Sequence, residues 1–193
     1  LGRLYAHDLA RRGAAVVVND VGASMRGAGV DPAVADQVVD EIERAGGTAT
    51  ASYESVETPE GGETIVRTAV ERFGRLDAVV SNAGIFQTVP FADLTPTDWR
   101  RMLRVHLDGA FHLSQPAFRQ MRSQGHGRFV FIASSAGLFG QPEVAHYAAA
   151  KAGLLGLANV IAIEGAEHGI LASPACDVTH RVFSACAGRF ARV

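Results

Sequence analysis

Short, unbroken apolar runs alternate with helical patterns along most of this 193-residue chain. The clearest run, residues 14–18, is rich in valine and is followed at once by the polar pair Asn19-Asp20. An apolar run without alternating polar residues is typical of a strand that is covered on both faces, as in a parallel sheet. Strands that alternate with helices through short glycine-containing connections predict an α/β fold with a doubly wound sheet.

The predicted elements fit one domain spanning residues 1–193, since this length suits one α/β domain and hardly two. Glycine ends the first three helices, and Thr95-Pro96 begins the fourth. The predicted helices are 3–12, 32–45, 59–73, a long helix from 95, and 143–164; the predicted strands are 14–18, 48–53, 76–80 and 128–133.

Charge and composition favour a small-molecule partner. The formal net charge of −2 argues against nucleic acid or an anionic membrane as the main partner. The apolar runs are too short or too interrupted to span a bilayer. We see no signal peptide, and Cys176 and Cys186 lack metal-site spacing, so we expect reduced cysteines, a cytoplasmic protein and no metal.

Tyr147 and Lys151 are four residues apart on a predicted helix and therefore share one face. A phenol, with a pKa near 10, is a poor acid–base catalyst at neutral pH, and a nearby ammonium favours its ionised form. The pair fits a general acid–base role. Taken alone, however, this common spacing more often means a packed tyrosine and a solvated lysine.

Three further polar groups lie at or just beyond predicted strand ends, where ligands bind in such sheets. These are Asp20, the turn Asn82-Ala83-Gly84, and Ser134, which lies thirteen residues before Tyr147. Each alone is also explained by ordinary turn chemistry. We expect residues 137–140 to form a loop whose glycines let the backbone approach a ligand.

Together these residues resemble the short-chain dehydrogenase/reductase family, whose fold is a Rossmann-like, NAD(P)-binding domain. The matching pieces run in order from Leu1-Gly2-Arg3 through Asn82-Ala83-Gly84 to the Tyr147-Lys151 pair, and cover residues 1 to about 170. In detail the chain looks most like the subgroup holding the (3R)-hydroxyacyl-CoA dehydrogenase domain of multifunctional enzyme type 2 and its bacterial relatives.

The resemblance implies a role for each matching residue. Tyr147 exchanges a proton with the substrate oxygen, Ser134 orients that oxygen, and Lys151 holds the nicotinamide ribose. Asp20 selects NAD over NADP, because a carboxylate there binds the adenosine ribose and repels a 2′-phosphate. Gly2 is the last glycine of a phosphate-binding loop. The other implied cofactor contacts are Ser55, Val56, Asn82, Ala83 and Gly84.

The sequence departs from the family in three places. His106 stands where most members have an Asn that supports a proton-relay water; a relay role and a hydrogen-bonded structural role remain open. The family's first strand and most of its phosphate-binding loop are absent, so we expect either two exposed strand edges or a rearranged sheet. After Gly169-Ile170, where the family continues with a strand, residues 171–184 instead resemble its far C-terminal piece, the last helix end and last strand, with Thr179-His180 where the family has Thr-Gly. We therefore expect an internal deletion of several dozen residues near Ile170 that removes the acyl-binding lid.

Three hypotheses follow. The first is an NAD-dependent oxidoreductase that interconverts a secondary alcohol and a ketone, with a 3-hydroxyacyl-CoA-like thioester as favoured substrate. The second is a catalytically defective remnant that serves as a structural or interaction module. The third keeps the enzyme but changes the substrate to a steroid, a sugar alcohol or another ketone. The resemblance also implies a homodimer or homotetramer through the helices 95–121 and 143–164.

Overall fold

The structure, a computed structural model, describes residues 1–175, 183–186 and 189–192, with side chains described up to residue 174. Helices and strands alternate as the sequence predicts. The elements are α1 (Gly2–Arg11), β1 (Ala15–Asn19), α2 (Ala33–Arg44), β2 (Thr48–Ser52), α3 (Pro59–Phe73), β3 (Ala78–Ser81), α4 (Pro96–Leu103), a π-helical segment (Arg104–Asp108), α5 (Gly109–Gln124), β4 (Gly127–Ile132), α6 (Ser135–Phe139), α7 (Ala145–Gly165), β5 (Ile170–Ala175), β6 (Phe183–Cys186) and β7 (Arg189–Arg192).

The parallel strands form two separate sheets. β1 pairs with β2, with Ala15 opposite Thr48, and β4 lies between β3 and β5 in a three-stranded sheet. β6 and β7 form an antiparallel pair. Within the described part of the chain, β1 and β3 do not pair with each other. This division agrees with the strand edges expected from the sequence.

Helix α3 and the loop between β1 and α2 connect the two parts of the molecule. α3 packs on β1 and also on α5. Within the loop, the Met25 carbonyl accepts a hydrogen bond of 2.8 Å from the Phe86 N–H, which follows β3. The carboxyl ends of β1 and β3 therefore face the same region, which is where the sequence predicts the site.

The larger core surrounds β4. Phe129 and Phe131 are stacked, 6.1 Å apart, and are 1% and 0% exposed. Helices α3, α5 and α7 cover this strand with apolar side chains, among them Met121 and Leu154. Full burial of one such large side chain stabilises the fold by about 1.5–3 kcal/mol. A smaller cluster, which includes Val38 and Ile42, joins α1 and α2 to the β1–β2 sheet.

Two helix starts follow directly from local sequence. The Thr58 hydroxyl accepts a hydrogen bond from the Gly61 N–H, and Pro59 occupies the first helical position of α3. Thr95 and Pro96 repeat this arrangement in α4. Gly74 ends α3 with φ of 79°, a conformation that favours glycine. The sequence-based bounds 59–73 are thus confirmed.

Helix α7 explains the most apolar stretch of the chain. Residues 145–168 are long and apolar enough to cross a membrane by length and composition alone. In the structure, Ala150 and Leu154 are buried at 0% and 1% exposure, and the helix packs on β4 and β5. The expectation that no apolar run is long enough to span a bilayer is therefore wrong by length and composition. Because 39% of this apolar window is buried, packing in the core explains part of its composition, and the absence of a membrane partner stays a prediction.

The structure corrects two expectations. Residues 135–139 form the short helix α6 rather than a loop, and Gly137 lies against the backbone of α7, where a Cβ would stand 2.8 Å from the Ala152 nitrogen. The residues after Gly169 form β5, parallel to β4, where we expected the family's strand to be replaced by its far C-terminal piece. An edge strand such as β5 tolerates Pro174. Thr179, His180 and Cys176 lie outside the described residues.

Candidate active site

The Lys151 ammonium is buried beside Tyr147. The lysine is 4% exposed, and its Nζ lies 5.6 Å from the centre of the Tyr147 ring. Nζ also donates a hydrogen bond of 2.5 Å to the carbonyl of Ile132, the last residue of β4. The four-residue spacing on α7 therefore brings both side chains to one place, as the sequence predicts.

Lys151 is the only lysine of the chain, since the other basic residues among the 18 are all arginines. Burial lowers the pKa of Lys151 from 10.5 to about 8, because removal from water disfavours the charged form. The side chain therefore remains mainly protonated at pH 7. Burial of an ammonium in the protein interior is energetically unfavourable. All the other basic residues are arginines, and the one lysine lies at such a buried position.

Two rings fix the orientation of the Tyr147 phenol. Phe86 contacts it edge-on, with ring centres 5.2 Å apart and planes at 85°. His106 does the same from another element, at 5.3 Å and 89°. Edge-to-face contacts of this kind are favourable and directional. Tyr147 is half-buried, so its ring is held while part of it remains accessible.

His106 lies in the π-helical segment between α4 and α5 and is 4% exposed. Its Nε2 contacts both backbone groups of Ile85, 2.8 Å from the oxygen and 3.1 Å from the nitrogen. Burial and the charge of Lys151 lower the pKa of His106 to about 4, so the ring is neutral at pH 7. Nδ1 is buried without a hydrogen-bond partner within the described region. This geometry supports a structural role for His106.

Gly84 is required by the packing of His106. A Cβ at Gly84 would stand 2.3 Å from Cε1 of the imidazole, which no side chain can tolerate. The turn after β3 therefore brings its glycine against the ring that holds Tyr147. Ala83 is exposed beside it.

Ser134 follows β4 by two residues and begins α6. Its hydroxyl oxygen accepts a hydrogen bond of 3.2 Å from the Ala136 N–H, which fixes the side chain as an N-cap. The hydroxyl proton remains available for a donor role. The Lys151 ammonium binds the carbonyl of Ile132, and Ser134 follows Ile132 by two residues in the chain.

The predicted cofactor residues divide into two groups. Gly2 begins α1, and a Cβ there would stand 2.8 Å from the Asn82 amide nitrogen, so the start of α1 meets the end of β3. Asp20 is exposed directly after β1, and its Oδ1 accepts a hydrogen bond of 2.7 Å from the Gly22 N–H. These residues border the region that β1 and β3 face.

Ser55 and Val56 have mainly local contacts. The Ser55 hydroxyl accepts a hydrogen bond from the Glu57 N–H. Val56 packs against Gly109 of α5, and the Val56 carbonyl contacts the His112 ring. The described contacts therefore do not bring these two residues to Tyr147 or Asp20.

Sequence reasoning missed three residues that shape the site. Asn19 connects the ends of β1 and β2, because its side chain binds Ser52 and both backbone groups of Glu54. Phe86 orients Tyr147, and His146 is 0% exposed with neither ring nitrogen hydrogen-bonded in the described region. The position of Asn19 at a strand end was a usable signal, whereas the contacts of Phe86 and His146 depend on distant elements.

A family model described as short chain dehydrogenase matches residues 1–177. The chain belongs to the short-chain dehydrogenase family. The match extends past Ile170 through β5, so the family pattern continues where we expected it to break off, and the deletion near Ile170 stays a prediction. Among residues 1–174, no group of three or more His, Cys, Asp or Glu side chains is placed to hold a metal ion.

The similar proteins include parts of much longer chains. The peroxisomal hydratase-dehydrogenase-epimerase of Saccharomyces cerevisiae is 49% identical over 88% of this chain and 19% of that protein. The peroxisomal multifunctional enzyme type 2 of Mus musculus is 46% identical over 88% of this chain and 23% of that protein. This short-chain dehydrogenase thus spans less than a quarter of either relative.

Solved structures agree with this assignment. A short chain dehydrogenase from Mycobacterium avium superposes with a TM-score of 0.84 and 30% identity, over 100% of this chain and 80% of that one. An NAD⁺-bound xylitol dehydrogenase superposes with a TM-score of 0.81 and 28% identity, over 90% of this chain and 64% of that one.

Proposed function

We propose that this chain is an NAD-dependent oxidoreductase that interconverts a secondary alcohol and a ketone, with a 3-hydroxyacyl-CoA-like thioester as the favoured substrate. The observation that carries the proposal is the buried Lys151 ammonium, 5.6 Å from the Tyr147 ring and bonded to the strand that leads into Ser134. A buried charge is destabilising, and groups whose pKa burial has shifted cluster at functional sites, so the position of this ammonium beside a phenol supports a catalytic role.

Tyr147 is the proton-exchanging group. In the oxidation direction its phenolate oxygen takes the proton of the substrate hydroxyl, and in the reduction direction it returns that proton to the carbonyl oxygen. The Lys151 ammonium favours the phenolate over the neutral phenol by Coulomb attraction. The Ser134 hydroxyl donates a hydrogen bond to the substrate oxygen and so aligns it with Tyr147.

The donor set around Lys151 fits a nicotinamide ribose. An ammonium has three N–H donors, and the described contacts give Lys151 one acceptor, the Ile132 carbonyl. The remaining donors suit ribose hydroxyls. When bound, NAD supplies the two-electron oxidation of the carbinol carbon.

Asp20 supports NAD rather than NADP. Its Oδ1 is engaged with Gly22, while the exposed carboxylate keeps acceptor capacity for an adenosine ribose hydroxyl. A 2′-phosphate would meet a like charge there. The start of α1, where no side chain caps the first N–H groups, suits the pyrophosphate, and Gly2 and Asn82 border it.

The test is NADH formation with (3R)-3-hydroxybutyryl-CoA and longer 3-hydroxyacyl-CoA thioesters, measured beside xylitol and a hydroxysteroid. The proposal expects turnover with the thioesters and a higher kcat/KM with NAD than with NADP. Turnover of a polyol or steroid without turnover of any thioester would favour the third hypothesis. The xylitol dehydrogenase named among the similar structures gives that hypothesis its support.

The second hypothesis, a defective module, draws on the division of the parallel strands into two sheets. Calorimetric titration with NAD distinguishes this hypothesis from the proposal of an active enzyme. Binding in the micromolar range supports the enzyme, whereas no heat of binding up to millimolar NAD supports the module.

We also propose a homodimer or homotetramer through the long helices. Phe111 on α5 and Val160 and Ile163 on α7 are 47%, 51% and 67% exposed, an apolar excess that association would cover. Sedimentation velocity tests this. A cytoplasmic location and the absence of nucleic acid, membrane and metal partners stay predictions from the sequence.

A further inference from the structure

The loop between β1 and α2 is fastened to α4 by one side chain, Arg101. Its guanidinium nitrogen Nη2 donates to the Arg26 carbonyl at 2.5 Å and to the Gly27 carbonyl at 2.9 Å. Gly27 has φ of 71°, and a Cβ there would stand 2.8 Å from Nη2 and 2.9 Å from Ile85. Arg101 therefore binds backbone in a left-handed conformation that favours glycine.

Hydrogen bonds within the loop connect residues 26 and 27 to neighbouring residues, so the contact with Arg101 also holds those neighbours in place. The Gly27 N–H donates to the Ser24 carbonyl at 2.7 Å, and the Asp31 N–H donates to the Val21 carbonyl at 3.1 Å. Met25 lies between Ser24 and the two carbonyls that Arg101 binds. Its carbonyl accepts the Phe86 N–H at 2.8 Å, and Phe86 places its ring edge-on against Tyr147 at 5.2 Å.

We infer that Arg101 is a positioning residue for the reaction: through residues 25–27 it holds Phe86, and Phe86 sets the orientation of the Tyr147 ring. The inference rests on the proposed function of Tyr147. Arg101 has no described contact with Tyr147, so its effect passes through Phe86. Small displacements of a reacting group reduce rates strongly, which makes the Phe86 position matter.

Arg101→Met tests this, because methionine keeps much of the length but removes the donors. Arg100→Met is the matched control, since Arg100 is an exposed neighbour on α4 whose side chain has no hydrogen bond within the described region. We expect Arg101→Met to lower kcat about tenfold, Arg100→Met to leave it unchanged, and Arg101→Lys, which restores donors to the carbonyls, to recover most of the loss.

A double-variant cycle separates positioning from a general structural defect. In a Phe86→Ala background, Arg101→Met has nothing left to position, so the double variant is expected to match Phe86→Ala alone. An equal loss of kcat from Arg101→Met in both backgrounds, or no loss beyond that of Arg100→Met, overturns the inference.

Hydrogen exchange measured by mass spectrometry on the cofactor-free chain gives a readout independent of activity. Arg101→Met is expected to speed exchange at residues 24–28 and at the Phe86 amide, whereas Arg100→Met leaves both at the wild-type rate. If the wild-type chain turns over no substrate, the proposed function of Tyr147 fails, and the inference fails with it. If turnover is present but exchange at Phe86 is the same in Arg101→Met and wild type, only the Arg101 inference is overturned.

Discussion

Lys151 follows Tyr147 by one turn of α7, and its ammonium lies 5.6 Å from the centre of the phenol ring. The same ammonium binds the last carbonyl of β4. One charge thus joins the helix that carries the phenol to the strand that leads to Ser134.

Lys151→Met is expected to abolish oxidoreductase activity while stabilising the fold. The folded pKa of about 8 lies below 10.5, so burial of the ammonium destabilises the protein fully below pH 8 and not at all above pH 10.5. After allowance for the lost hydrogen bond, the gain at pH 7 is about 2 kcal/mol. Urea denaturation at pH 7 measures it, and Tyr147→Phe, which keeps the ammonium, should show no such gain.

The single lysine permits a direct check. NMR of the chain labelled only at lysine gives one side-chain signal, whose titration midpoint is expected at about 8. A midpoint at 10.5 would mean that the ammonium is solvated, and the predicted gain in stability would disappear with it.

Acid is expected to weaken the fold through His106. The pKa of His106 is about 4 in the folded protein and 6.5 in the unfolded chain. Between these two pH values the unfolded chain binds a proton at His106 and the folded protein does not, so acid favours unfolding. The contribution of neutral His106 to the unfolding free energy is fully present above pH 6.5, and about 3 kcal/mol of it is lost by pH 4. His106→Asn should flatten the dependence of the unfolding free energy on pH between these values. A variant with the wild-type slope would place the effect elsewhere.

Glu143→Gly is expected to raise the unfolding free energy by about 1 kcal/mol. Glu143 has φ of 65°, a conformation that side chains with a Cβ rarely adopt, just before α7. Glycine relieves the strain and keeps the carbonyl that accepts the Val89 N–H. Glu143→Ala removes the same carboxylate but retains the Cβ, so denaturation curves should show no gain for alanine. Equal gains for both would point to charge rather than conformation.

The preference for NAD is expected to depend on the charge of Asp20. Asp20→Asn keeps an oxygen for the Gly22 N–H but removes the repulsion of a 2′-phosphate. Calorimetry should find the ratio of Kd values for NADP and NAD reduced about tenfold, or about 1.4 kcal/mol. Asp31→Asn removes a carboxylate from the same loop, where it caps α2, and should leave the ratio unchanged. An unchanged ratio in Asp20→Asn would remove the basis for preferring NAD.

Local sequence predicted the elements that local chemistry fixes. Thr58-Pro59 and Gly74 delimit α3 because a hydroxyl cap, a proline and a left-handed glycine act within a few residues. The unbroken valine run of β1 and the polar residues after β1 and β3 likewise placed Asp20 and Asn82 correctly at strand ends.

The remaining features depend on contacts between distant elements. Gly137 belongs to a helix because it packs against α7, and Pro174 belongs to a strand because β5 lies at a sheet edge. Phe86 and Arg101 contact a loop that lies about sixty and about seventy-five residues earlier in the sequence, respectively. No spacing pattern reveals such contacts, so the Tyr147-Lys151 pair was predictable while the rings that orient it were not.

The central claim is that the Tyr147 phenol exchanges the proton of the substrate oxygen. The most direct measurement is kcat for NADH formation by Tyr147→Phe, with its NAD affinity measured on the same preparation. The account predicts a loss of at least about a hundredfold in kcat, the scale of general acid–base catalysis, with NAD affinity within about twofold of wild type. A Tyr147→Phe enzyme that binds NAD and keeps the wild-type kcat would contradict it.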